Sequence, residues 1–227
     1  MPALLALLLV LLFVMFVLWR ALHRAKQAEF IRRQPLPPGL YDELRVRHPQ
    51  LALKDCQIVS QALRQFFLAY LKGGLKPVSM PSQVADDLWH DFILHTRAHQ
   101  IFCAGAFGRF LHHTPAASLS KLEDSNAGLR RCWWHCCRAD NIDPSRPTRL
   151  PLLFAIDKKL AIAGGFVYAA DCTALETSAV RDGSGCVIVH CGDDFSSSSI
   201  DGSMDGFGNG GSDCDGGGDG GDGGGGD

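Results

Sequence analysis

Between Asp86 and Pro115 the chain reads DDLWHDFILHTRAHQIFCAGAFGRFLHHTP, the densest run of potential ligating side chains in its 227 residues. On a helix, Asp86 or Asp87 shares a face with His90, at i+4 or i+3. Asp91, His95, His99 and Cys103 form a second row at successive i+4 steps. His112 and His113 follow Gly105 and Gly108, where the chain is expected to fold back toward the first helix. Imidazole and carboxylate are competent donors for zinc or iron, and two of them one helical turn apart reach a single ion. Asp87, His90, His112 and His113 are therefore the candidate ligands of a mononuclear zinc or iron site. The competing reading is structural, with a Trp-His pair that packs and makes one hydrogen bond and an Asp91/His95/His99 row that is a solvated face. The spacing fits neither HExxH nor paired CxxC.

Other groups carry less. Cys132, Cys136 and Cys137 surround His135, with Cys132 and Cys136 one turn apart. A thiol nucleophile needs a depressed pKa and a nearby base, and the default is that such cysteines are small buried hydrophobes. Cys186, His190 and Cys191 offer at most three ligands from a flexible flank. The terminal GGDGGDGGGGD lacks the large apolar residue that stacked calcium-binding repeats require. No GxxxxGK[ST], GxGxxG or GxSxG occurs. No catalytic residue is assigned, and no cofactor is expected beyond the zinc or iron ion.

The elements that position these residues begin with Pro2–Trp19, 18 residues without a charge. At 1.5 Å per residue such a helix is about 27 Å long, near the roughly 30 Å of a bilayer core. No basic n-region precedes it and no small-residue cleavage site follows, which favours an uncleaved anchor over a signal peptide. Arg20, Arg24, Lys26, Arg32 and Arg33 flank its C-terminal end. The excess of basic residues on that side predicts the N-terminus outside and the body in the cytoplasm, on a single-pass inner-membrane protein. The cluster also suits anionic lipid head groups, at about 1 kcal/mol per residue. Nine cysteines in no secreted framework fit reduced thiols. Disulfides among Cys172, Cys186 and Cys191 in a periplasmic body are the alternative.

Charge divides the chain. Residues 1–181 hold all 22 Lys and Arg and 14 of the 24 acids, a net +8, while ten Asp lie beyond Arg181. Part of the basic excess belongs to the juxtamembrane cluster, so nucleic acid is not an expected partner. Residues 1–33 form the anchor and its basic flank, and the Pro-rich segment 34–39 reads as a hinge. Residues 40–175 form a helical domain, and 176–227 a flexible Gly/Ser/Asp-rich tail. Residues 201–227 alone hold 14 Gly and 7 Asp, too little apolar surface to offset chain entropy, which predicts disorder.

Within the body the periodicity is helical. Cys56, Val59, Leu63, Phe66, Phe67 and Tyr70 make one stripe, ended by Gly73-Gly74. A second helix starts near Ser79 or Ser82 and is expected to reach Cys103, interrupted at Gly105 and Gly108. A third spans about 121–140, and a fourth 152–162 before Gly164-Gly165. The only strand-like run is Val187-Ile188-Val189, so the predicted fold class is all-α.

Asp87-Leu88-Trp89-His90, Phe102-Cys103, Phe107-Gly108 and Leu111-His112-His113-Thr114-Pro115 resemble the core pattern of the glycine-rich domain-containing protein-like family. The resemblance covers residues 50–115, and residues 129–172 are similar to the extension of its short bacterial members. Phe92 stands where many members carry a second His. The resemblance implies an architecture, with a glycine-rich tail, and no reaction.

Two functions follow as expectations. The leading one is a non-enzymatic, membrane-tethered module whose partners are the bilayer and a protein near it. The alternative is a metal-binding protein or metal-dependent enzyme built on the Asp/His cluster.

Overall fold

A computed structural model of the chain describes residues 2–113, 122–170 and 189–191. Among them lie seven helices: α1 (Pro2–Arg33), α2 (Leu40–Arg47), α3 (Leu53–Lys72), α4 (Gln83–Leu94), α5 (Thr96–Phe107), α6 (Leu122–Ala139) and α7 (Leu152–Lys159). Two short strands, β1 (Val167–Ala169) and β2 (Val189–Cys191), follow.

α3 is the central post. Its whole predicted stripe from Cys56 to Tyr70 is buried, and α1, α2, α4, α6 and α7 all pack on it. Aromatic rings fill the space between α3, α4 and α5. Phe67 lies 5.0 Å from Phe102 and 5.9 Å from Trp89, and Phe66 lies 5.1 Å from Trp89, ring centre to ring centre. On the other side of α3, Trp133 of α6 meets Phe154 of α7 edge-on, and its indole N–H donates to the Pro144 carbonyl at 3.1 Å. Burial of these large side chains is the main stabilising term.

The first turns of two helices are closed by side chains far away in sequence. At α4, the Ser82 hydroxyl caps the Ala85 amide at 3.2 Å, as an N-cap serine should. The two preceding amides, Gln83 and Val84, donate instead to the buried Asp157 carboxylate of α7, at 2.7 and 3.2 Å. That carboxylate also accepts from the Ser82 hydroxyl at 2.7 Å and the Phe166 amide at 3.0 Å. Gly165 permits this approach, since a Cβ there would stand 2.8 Å from Asp157 Cβ. At α7, the Leu152 amide donates to Asp140 and the Leu153 amide to Gln65, both at 3.1 Å. Orphan amides at helix starts thus become tertiary ties.

Four features depart from the residue pattern. The all-α expectation holds for most of the body, but β1 and β2 pair in parallel, Val167 opposite Val189 through Ala169 opposite Cys191. Three residues are too few to show alternation, although their β-branched and aromatic types suit a strand. β2 also lies inside the stretch 176–227 assigned to the tail. The rest of that stretch, residues 176–188 and 192–227, lies outside the described residues.

The Pro-rich segment does end α1, but it does not free the helix from the body. Ile31 is fully buried in the core, Phe30 packs 5.9 Å from Phe102, and Arg64 donates to the Ile31 and Gln34 carbonyls. Gly105 does not interrupt a helix either. It lies within α5 and admits the Phe30 ring, whose nearest carbon would sit 2.6 Å from a Cβ there. Replacing Gly105 with Leu is therefore expected to cost about 1–3 kcal/mol by overpacking. Urea unfolding would measure the loss, and faster proteolysis at residues 34–39 would show that α1 had lifted off.

Finally, the single helix expected from Asp86 to Cys103 is two. The chain breaks at His95, whose φ of −76° and ψ of 59° leave the helical region. His95 turns to Glu43 of α2, 3.2 Å away. The row Asp91, His95, His99, Cys103 therefore does not run along one face.

Candidate metal centre

α4 carries the site, and its position is set by the Asp157 cap one turn before Asp86. Leu88, Trp89 and Phe92 are buried on its inner face. That rotation leaves Asp86 and His90 together on the outer edge, one turn apart, with His90 Nδ1 3.5 Å from Asp86 Oδ2. The left-handed Gly108, with φ of 69°, ends α5 and turns the chain back along α4. Leu111 is then buried, and His113 arrives over α4. Its Nε2 lies 2.9 Å from Asp86 Oδ1, and its ring centre is 4.2 Å from that of His90 and 4.6 Å from Trp89.

Asp86, His90 and His113 thus converge, each offering one donor atom, with no two donors more than 4.8 Å apart. Donors about 2.1 Å from a tetrahedral ion stand about 3.4 Å apart, so the widest pair must close by up to about 1.4 Å. One exposed imidazole rotamer can supply that movement. Two imidazoles and one carboxylate suit zinc or iron.

The other predicted ligands lie elsewhere. Asp87, adjacent to Asp86 but about 100° round the helix, faces α2. There it accepts from His48 Nε2 at 2.8 Å and from Gln83 Nε2 at 3.2 Å, with Arg47 at 3.5 Å. His112 is exposed, with its ring tilted against that of Phe110, 4.8 Å between centres. The triad therefore takes Asp86 in place of Asp87, and His113 alone of the two late histidines. Neighbouring aspartates are indistinguishable in sequence until the placement of α2 is known. A basic pair, Arg47-His48, is the signal that would claim one of them.

Asp91 is not a solvated residue. It is buried against Arg47, with one carboxylate oxygen left without a partner, and desolvation outweighs the Arg47 charge to raise its pKa above the usual carboxylate value. His99 is also core. It accepts from Trp89 Nε1 at 3.4 Å, and Cys103 Sγ lies 3.6 Å from its Nε2. Burial pushes the His99 pKa down to about 4, so the ring is neutral, and pushes the Cys103 thiol up.

The His99 shift has a signed consequence. Above the ordinary histidine value of 6.5 the ring is neutral in both states and contributes no pH dependence. Between pH 6.5 and about 4 the unfolded chain takes the proton first, so stability falls as pH falls. At 1.36 kcal/mol per unit this amounts to about 3 kcal/mol by pH 4. His99→Gln keeps an acceptor for Trp89 and does not titrate. Urea midpoints measured from pH 7.5 to 4.5 should therefore converge, the wild type losing its advantage as the pH drops.

The cysteine cluster is structural. Cys132, Cys136 and Cys137 are free and buried, with Cys132 and Cys136 Sγ atoms 3.9 Å apart. The contact with Cys132 and burial raise the Cys136 thiol, and burial raises Cys137, the opposite of an activated nucleophile. Burial lowers His135 to about 4. His190 and Cys191 belong to β2, and Cys172 and Cys186 lie outside the described residues.

No curated protein and no solved structure matches the chain. A family model described as UCP032817-like matches residues 26–195. That span begins in the turns of α1 that dock on α5, contains the Asp86/His90/His113 triad and ends just beyond β2. The docked end of α1, the helical body and the strand pair thus fall within one matched unit, and the chain belongs to the UCP032817-like family.

Proposed function

We propose that the protein is a membrane-anchored helical domain that holds one divalent transition-metal ion, zinc or iron, on Asp86, His90 and His113. The observation that carries this reading is the convergence of three donors from two separate chain segments within 4.8 Å. Helix packing alone does not require two imidazoles and a carboxylate to meet on the outer edge of α4. The His113–Asp86 hydrogen bond, with His90 3.5 Å from the same carboxylate, gives a metal-free resting arrangement, and the ion replaces the proton between them.

The anchor in this proposal is α1, long and apolar enough to cross a membrane, with its first turns exposed and its last turns in the core. Five basic residues, Arg20, Arg24, Lys26, Arg32 and Arg33, follow its apolar run. That basic flank supports an inner-membrane protein with the N-terminus outside and the body in the cytoplasm. The packed junction then holds the metal site at a fixed height below the bilayer.

A protein partner at the membrane is the second reading. Val46, Leu94 and Ile101 are large apolar side chains exposed on α2, α4 and α5, and these support it.

Elemental analysis of the full chain, purified in mild detergent after growth with zinc, iron and manganese, tests the metal reading. One equivalent of metal in the wild type and none in His90→Ala is the expected result. Metal-free wild type, or equal metal in both, would overturn it.

A further inference from the structure

Resting on that metal site, we infer that an ion bound there keeps exchangeable positions that accept an anionic oxygen donor of the carboxylate or phosphate class. The site is thus a Lewis-acid site and not a structural staple.

The donor count comes first. Structural zinc sites are closed by four protein ligands, whereas sites that act on a substrate keep three and leave the rest to water. The described residues bring three together here. Among the described residues, the other ligating groups on and around α4 are engaged elsewhere, Asp91 through one of its two oxygens. Asp87 is held by His48 and Arg47, Asp91 by Arg47, His95 by Glu43 and His99 by Trp89, while His112 faces Phe110. The eight residues after His113, TPAASLSK, contain no His, Cys, Asp or Glu.

Geometry and exposure agree with the count. Asp86 and His90 approach from one turn of one helix, and His113 lies across them against Trp89. The His90 side chain is 45% exposed, so among the described residues the triad is open to water on that edge. Charge points the same way. A divalent ion with one carboxylate and two neutral imidazoles retains a net positive charge, which attracts an anion.

The fold supplies its own staple at this place. The start of α4 is tied to α7 through Asp157, and His113 is already joined to Asp86. An ion is not needed to close the structure, so its open face is free for a ligand.

Cobalt(II) substitution of the full chain in detergent tests this. Visible d–d bands that form on loading, and do not form in His90→Ala, report the site. Azide is expected to shift those bands saturably, and parallel titrations with acetate and inorganic phosphate identify the preferred donor by the lower half-saturation concentration. Bands that form but stay unmoved by all three anions would overturn this inference and leave the metal reading standing. Failure of any bands to form would overturn both.

Discussion

Replacing Asp157 with Ala is expected to destabilise the folded body by about 3–4 kcal/mol, measured by urea unfolding at neutral pH. Four donors lose their acceptor at once: the Ser82 hydroxyl and the Gln83, Val84 and Phe166 amides. Hydrogen bonds to a charged group contribute about 1.5–3 kcal/mol each, and water filling the vacated space recovers part of the sum. Asp157→Asn keeps one acceptor oxygen and should lose less. A loss below about 1 kcal/mol for the Ala variant would mean that α4 is held by packing alone. The same substitution should weaken metal binding, because Asp86 and His90 ride on the helix that Asp157 fixes.

If zinc binds the proposed site in the folded state alone, zinc at 100 times its dissociation constant is expected to stabilise the wild type by about 2.7 kcal/mol. The shift should vanish in His90→Ala and His113→Ala. The two variants differ without metal. His90 is half exposed, so its removal should leave metal-free stability within about 0.5 kcal/mol. The His113 side chain is 12% exposed and packs on Trp89, so its removal should cost about 1 kcal/mol. A zinc-dependent rise in the melting point that survives both substitutions would place the ion elsewhere.

How much of this was legible in the residues depends on the range of the interaction. The α3 stripe was readable because one helix sets its own period, and Gly73-Gly74 closes it. The Ser82 cap was readable because its partner is three residues away. Asp157 was not, since three of its four partners lie more than 70 residues back along the chain. The break at His95 has neither Gly nor Pro to announce it, and it answers to Glu43 on another helix. The choice between Asp86 and Asp87 turned on Arg47 and His48 for the same reason. By contrast, the docking of α1 had a local signal. Ala28 and Ile31, three residues apart, are apolar residues that share a face amid the basic flank of the anchor. The meeting of His90 with a late histidine was legible because a helix, a glycine turn and a return strand of chain leave few alternatives.

The most direct test of the metal centre is an anomalous difference map at the zinc edge from a crystal of the zinc-loaded protein. One peak is expected, about 2.0–2.1 Å from Asp86 Oδ, His90 Nδ1 and His113 Nε2. An empty site in a crystal grown with excess zinc, or a peak held by Asp87, His112 or the cysteines of α6 in its place, would contradict it.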